Sequence, residues 1–74
     1  MSNQIKEIAI HTDYITLGQL LKLADVIFEG GEAKIYLATT KALVNGEEEN
    51  RRGRKLRVGD KIEIPGLTIV IVNQ

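Results

Sequence analysis

The chain has 74 residues, ten basic and ten acidic side chains, one histidine, no cysteine and no tryptophan, which leaves room for one small domain, 1–74. Without cysteine there is no disulfide, no thiolate metal site and no thiol nucleophile. The longest apolar stretch, Leu67 to Val72, is far too short to cross a bilayer, and the polar start from Met1 to Glu7 lacks the apolar segment of an export signal, so a cytoplasmic protein is expected.

In chain order, the β-branched run Ile5 to Ile10 reads as a strand, ended by His11-Thr-Asp-Tyr14. Thr16 with Gln19 three residues on has capping-box spacing and starts a helix. Leu17, Leu20, Leu21, Ala24 and Ile27 or Phe28 give it one apolar stripe about three turns long. Gly30-Gly31 breaks that pattern, and a second helix follows from Glu32 to about Lys41 with Ala33, Tyr36, Leu37 and Thr40 inward. The period then changes from 3.6 to 2. Ala42 to Val44, the turn Asn45-Gly46 and the polar return Glu47 to Asn50 form a hairpin whose second strand must be an exposed edge, since three adjacent glutamates cannot all be buried. Arg51 to Lys55 is a basic loop, Val58-Gly59-Asp60 a turn, and Lys61 to Ile64 a half-buried strand. Pro65-Gly66 has type II turn chemistry and Leu67 to Val72, apolar on both faces, is expected to be central. The expected order is strand, helix, helix, four short strands: an α+β domain in which a two-helix hairpin packs on a small, mainly antiparallel sheet of four to five strands.

Catalytic and metal sites find little material. His11 is the sole histidine, Ser2 the sole serine, and no nucleophile elbow exists. Asp13 near His11 is a weak pair, and no spaced ligand set suits a metal. No catalysis, cofactor, metal or small-molecule substrate is expected. The zero net charge argues against nucleic acid only as a sum, because five of the ten cations fall at Arg51, Arg52, Arg54, Lys55 and Arg57, just after Glu47, Glu48 and Glu49. Guanidinium forks suit phosphate, and Gly53 lets the backbone approach a ligand. Lys34 and Lys41, seven apart, would extend the patch along the second helix. The backbone N–H groups at that helix's start are further candidates for a phosphate. The three aromatics, Tyr14, Phe28 and Tyr36, are expected to pack in the core of so small a domain.

The series Leu17, Leu20, Leu21; Ala33-Lys34; Leu37; Val44-Asn45-Gly46; Arg51-Arg52; Val58-Gly59-Asp60-Lys61-Ile62 resembles the S4-type RNA-binding domain, specifically its small stand-alone bacterial YaaA-like branch, from about 15 to 64. The resemblance implies the S4-like (αL-type) fold, with extra strands at both ends, and binding of structured RNA, ribosomal RNA or ribosomal particles foremost. It places basic contacts at the start of the second helix, matched by Lys34, and after the hairpin, matched by Arg51, Arg52, Arg54 and Lys55; Lys41 flanks them. Glu29-Gly30 replaces the family's usual Ser-Arg pair and Thr40 its helix-ending glycine, which removes one expected phosphate contact. The alternative reading is a protein-interaction module that adds a strand at Leu67 to Val72 or at the acidic hairpin edge.

Overall fold

The computed structural model describes residues 4–74; the polar residues 1–3 lie outside the described residues. Nine elements follow one another: β1 (Gln4–Ile10), β2 (Ile15–Thr16), α1 (Leu17–Leu23), α2 (Glu32–Thr39), β3 (Leu43–Val44), β4 (Glu47–Glu48), β5 (Lys55–Leu56), β6 (Lys61–Ile64) and β7 (Leu67–Asn73). Five strands form one sheet in the order β1-β7-β6-β3-β4, and β2 pairs with β5 in a separate ribbon. Only β1 and β7 run parallel; the remaining pairs are antiparallel. The architecture is α+β as expected, with the short strands β2 and β5 in addition.

β7 is central because both its edges are taken, by β1 and by β6. That overturns the expectation that Leu67 to Val72 recruits a partner by strand addition: no unpaired edge remains on it. The sheet ends instead on β1 and on the two-residue acidic β4. Along β6 and β7 the side chains alternate. Ile62, Ile64, Ile69 and Ile71 are buried with Ile10, Val44 and Leu56 against the helical residues Leu17, Leu20, Leu21, Ala33 and Leu37. Each fully buried leucine contributes about 1.5–3 kcal/mol of transfer free energy.

The helix start falls where the sequence puts it. Thr16 Oγ1 accepts from the Gln19 N–H at 3.3 Å, and the Gln19 side chain accepts from the Thr16 N–H at 2.9 Å, satisfying two backbone donors reciprocally. The helix end does not, because α1 stops at Leu23. Asp25 adopts φ +61°, the Asp25 N–H donates to Lys22 O and the Val26 N–H donates to Leu21 O, a Schellman termination with aspartate at the position that favours glycine. Ile27 continues the apolar spacing but lies beyond the helix, buried in the core, while Phe28 is exposed. Helix α2 likewise ends at Thr39 with Thr40 extended, so Lys41 falls outside it and shares no helix face with Lys34. The Asn45-Gly46 turn has φ of 52° and 88°, as a type I′ hairpin requires.

Candidate nucleic-acid interface

The basic loop is held at two levels. Its backbone docks on the start of α1: the Leu17 N–H donates to Arg54 O and the Gly18 N–H to Arg52 O, both at 2.9 Å. Those are two of the first-turn donors that a helix leaves without intrahelical partners, and the Thr16 hydroxyl takes a third. Gly18 lies at this junction, where a Cβ would stand at ordinary contact distance, 3.4 Å from Arg52 Cβ and 3.5 Å from Ala33 Cβ, and a larger side chain would not fit. Arg52, the start of α1 and the first turn of α2 therefore meet at Gly18.

The second level is Glu49, which the sequence grouped with two exposed neighbours. Glu47 and Glu48 are exposed, but Glu49 is buried at 8% exposure. Its Oε2 accepts from Arg51 Nε at 3.0 Å and from the backbone N–H groups of Asn50 and Arg51 at 3.1 Å; its Oε1 accepts from Arg51 Nη2 at 3.1 Å and from Arg54 Nη1 at 2.9 Å. The Arg51 guanidinium above all holds the Glu49 carboxyl down at about 2, opposed by burial and assisted by Arg54 and the Arg51 N–H. The same contact raises Arg51. One buried carboxylate thus fixes two guanidinium groups in orientation and leaves Arg51 Nη1, and Arg54 Nε and Nη2, outside its bonds.

Arg51, Gly53, Arg54 and Lys55 wall an open concavity of about 410 Å³. From Glu49 to Arg57, five cations stand against that one carboxylate. Arg52 and Lys34 are exposed and make no ion pair among the described residues. Lys41 instead pairs with Glu48 at 3.3 Å, at the mouth of a neighbouring groove of about 420 Å³ between the end of α2 and Glu48 to Asn50; its charge is offset locally. Lys55 lies on β5 with its ammonium 4.9 Å from the Tyr14 ring centroid.

Two expectations change here. The start of α2 does not present all its N–H groups to a ligand: the Glu32 N–H donates to Glu29 O at 3.0 Å and the Ala33 N–H to Gly30 O at 3.3 Å, while the Glu32 carboxylate in the first turn accepts from the Phe28 and Glu29 N–H groups just before the helix at 3.2 and 2.9 Å. The aromatics do not all enter the core. Phe28 is 78% exposed and Tyr14 40%; Tyr36 alone is packed against the core, and partial burial raises its phenol. A small apolar core filled by leucine and isoleucine needs no aromatic volume.

Among the described residues no group of three or more His, Asp or Glu side chains could hold a metal ion, and no helix is long and apolar enough to cross a membrane. His11 Nδ1 lies 2.9 Å from Gln74 Oε1, an exposed link between distant chain segments.

The chain thus combines a side-chain-capped α1, a second helix, a hairpin and a clamped basic loop in one small unit. The S4 domain family model matches residues 8–72, and this chain belongs to the S4 domain family. It is also 63% identical over 59 residues, covering 80% of this chain and 83% of its relative, to the "Probable ribosome maturation protein RlbA" of Bacillus subtilis (strain 168).

Proposed function

We propose that this chain binds structured RNA, with ribosomal RNA or a ribosomal particle as its target, and that it does so without catalysis. Residues 15–64 form the S4-like (αL-type) unit in this reading, and β1 and β7 extend the sheet on which it rests, within a single domain. Membership of the S4 family and the likeness to a protein named for ribosome maturation support the target class. The observation that carries the reading is the clamped loop: its backbone is bonded to α1 and two of its guanidinium groups are oriented by Glu49. Little ordering entropy is then lost when a phosphate chain arrives.

Among the described residues Arg52 and Lys55 make no ion pair, Arg51 and Arg54 present the donors that Glu49 leaves over, and Lys34, next in sequence to the Ala33 that meets Arg52 at Gly18, adds a further cation. Lys41, paired with Glu48, contributes least. The contacts are to phosphates, which position an RNA without reading its sequence.

Co-sedimentation of the untagged protein with purified bacterial ribosomal particles tests this. Wild type should pellet with the particles and an Arg52→Glu, Lys34→Glu double variant with unchanged melting temperature should stay in the supernatant. Wild type remaining bound after complete nuclease digestion would sink the RNA reading and favour protein contacts, with the acidic β4 one of the sheet's two edges open to them.

A further inference from the structure

The outward face of the β2–β5 ribbon joins Lys55, which the S4 resemblance assigns, to Tyr14 and Arg57, which it does not. In the ribbon's register Ile15 faces Leu56 and Thr16 faces Lys55. Continued by one residue, that register sets Tyr14 opposite Arg57. Leu56 is fully buried and Ile15 packs on the core, so by alternation Tyr14, Thr16, Lys55 and Arg57 share the outer face. The geometry agrees, because Lys55 Nζ lies 4.9 Å and Arg57 Cζ 5.7 Å from the Tyr14 ring centroid, both within cation–π range.

Arg57 differs from Arg51 and Arg54 in its partners. Its side chain meets the Tyr14 ring and donates from Nη1 to the Asp13 carbonyl at 3.4 Å. Among the described residues it makes no ion pair. The nearby Asp60 carboxylate is already engaged: Oδ2 accepts from the Arg57 backbone N–H at 2.8 Å and Oδ1 from Asn45 Nδ2 at 3.1 Å. Arg57 is thus propped by a ring and a carbonyl, with no carboxylate bonded to its guanidinium among the described residues. Lys55 adjoins it on one side and belongs to the concavity of Arg51 and Arg54 on the other.

We infer that Arg57, seated with Lys55 on Tyr14, is a second phosphate-binding site for the RNA backbone, continuing the basic loop around the β2–β5 ribbon, with Tyr14 as the positioning residue. The inference rests on the RNA-binding reading above and adds a residue and a direction to it. The phosphate chain leaves the loop along the ribbon and away from Lys41, where Glu48 lies.

Binding of fluorescently labelled bacterial ribosomal RNA fragments, measured as a function of salt, tests the site. Wild type, Arg57→Gln, Tyr14→Phe, Tyr14→Ala and Lys6→Gln are compared, the last removing one charge from β1. Loss of one phosphate contact should weaken Arg57→Gln on the order of tenfold at low salt and flatten the log–log salt slope by about 1. Tyr14→Phe should keep wild-type behaviour, Tyr14→Ala should shift toward Arg57→Gln, and Lys6→Gln should leave the slope unchanged, with melting temperatures confirming that each variant folds. If wild type binds but Arg57→Gln retains its affinity and slope, or Lys6→Gln flattens the slope equally, the second site is wrong and the loop reading stands. If wild type itself fails to bind, the functional reading falls and this inference with it.

Discussion

Replacing Glu49 by Gln keeps the side-chain volume of the acid beneath the loop and removes its charge. The structure sets the size of the effect. The carboxyl is held down from 4.5 to about 2, and at 1.36 kcal/mol per pKa unit this bounds its interaction at about 3 kcal/mol. Glu49 is buried, but the Arg51 side chain is 75% exposed and that of Arg54 35%, so water screens part of the attraction and about 2 kcal/mol remains. For a domain of this size each kcal/mol moves the melting temperature by roughly 4–8 °C, so Glu49→Gln should melt about 8–16 °C below wild type at neutral pH. Because the folded-state pKa is depressed, this stabilisation is fully present above the unfolded value of 4.5 and is lost as pH falls toward 2. The two melting curves, followed by circular dichroism, should therefore converge across that window. Equal melting temperatures at pH 7, or a gap that persists undiminished at pH 2, would refute the assignment of Glu49 as the ionised anchor of the loop.

Thr16→Ala removes one half of the capping box and should lower stability by about 1 kcal/mol, seen as a lower urea midpoint at unchanged slope. Asp25→Gly relieves a left-handed backbone at φ +61° and should raise the melting temperature by several degrees, on the order of 0.5–1 kcal/mol; a fall would contradict the termination described for α1. At Gly18, alanine fits at ordinary contact distance and should be tolerated, whereas Gly18→Val must push Arg52 off α1 and should cost about 1–3 kcal/mol together with RNA affinity. Equal behaviour of the two substitutions would mean that loop and helix are not in contact there.

Features governed by local chemistry were legible in the sequence. The capping box, the Asn45-Gly46 turn and β6 stand where their residues place them, since each is decided within a few positions. Helix ends were less legible. Ile27 and Phe28 prolong the apolar spacing of α1, and only the backbone of Asp25 shows that they belong to the segment after the helix. β2 and β5 are two residues each, too short for periodicity to register. Glu49 was hidden because three identical residues carry no mark of which one turns inward; that depends on Arg54 arriving from five residues away. Arg57 had a signal, the alternation Lys55-Leu56-Arg57, but its relation to Tyr14 exists only once β2 and β5 pair. Phe28 shows the opposite error, an aromatic assigned to a core that aliphatic side chains had already filled.

The salt dependence of binding tests most directly whether the clamped basic loop holds RNA phosphates. Equilibrium titration of labelled bacterial ribosomal RNA fragments with the wild-type protein at 50 and 200 mM salt should show affinity falling on the order of a hundredfold, as about four phosphate contacts require. Affinity that is unchanged between the two salt concentrations, or no detectable binding at 50 mM, would contradict it.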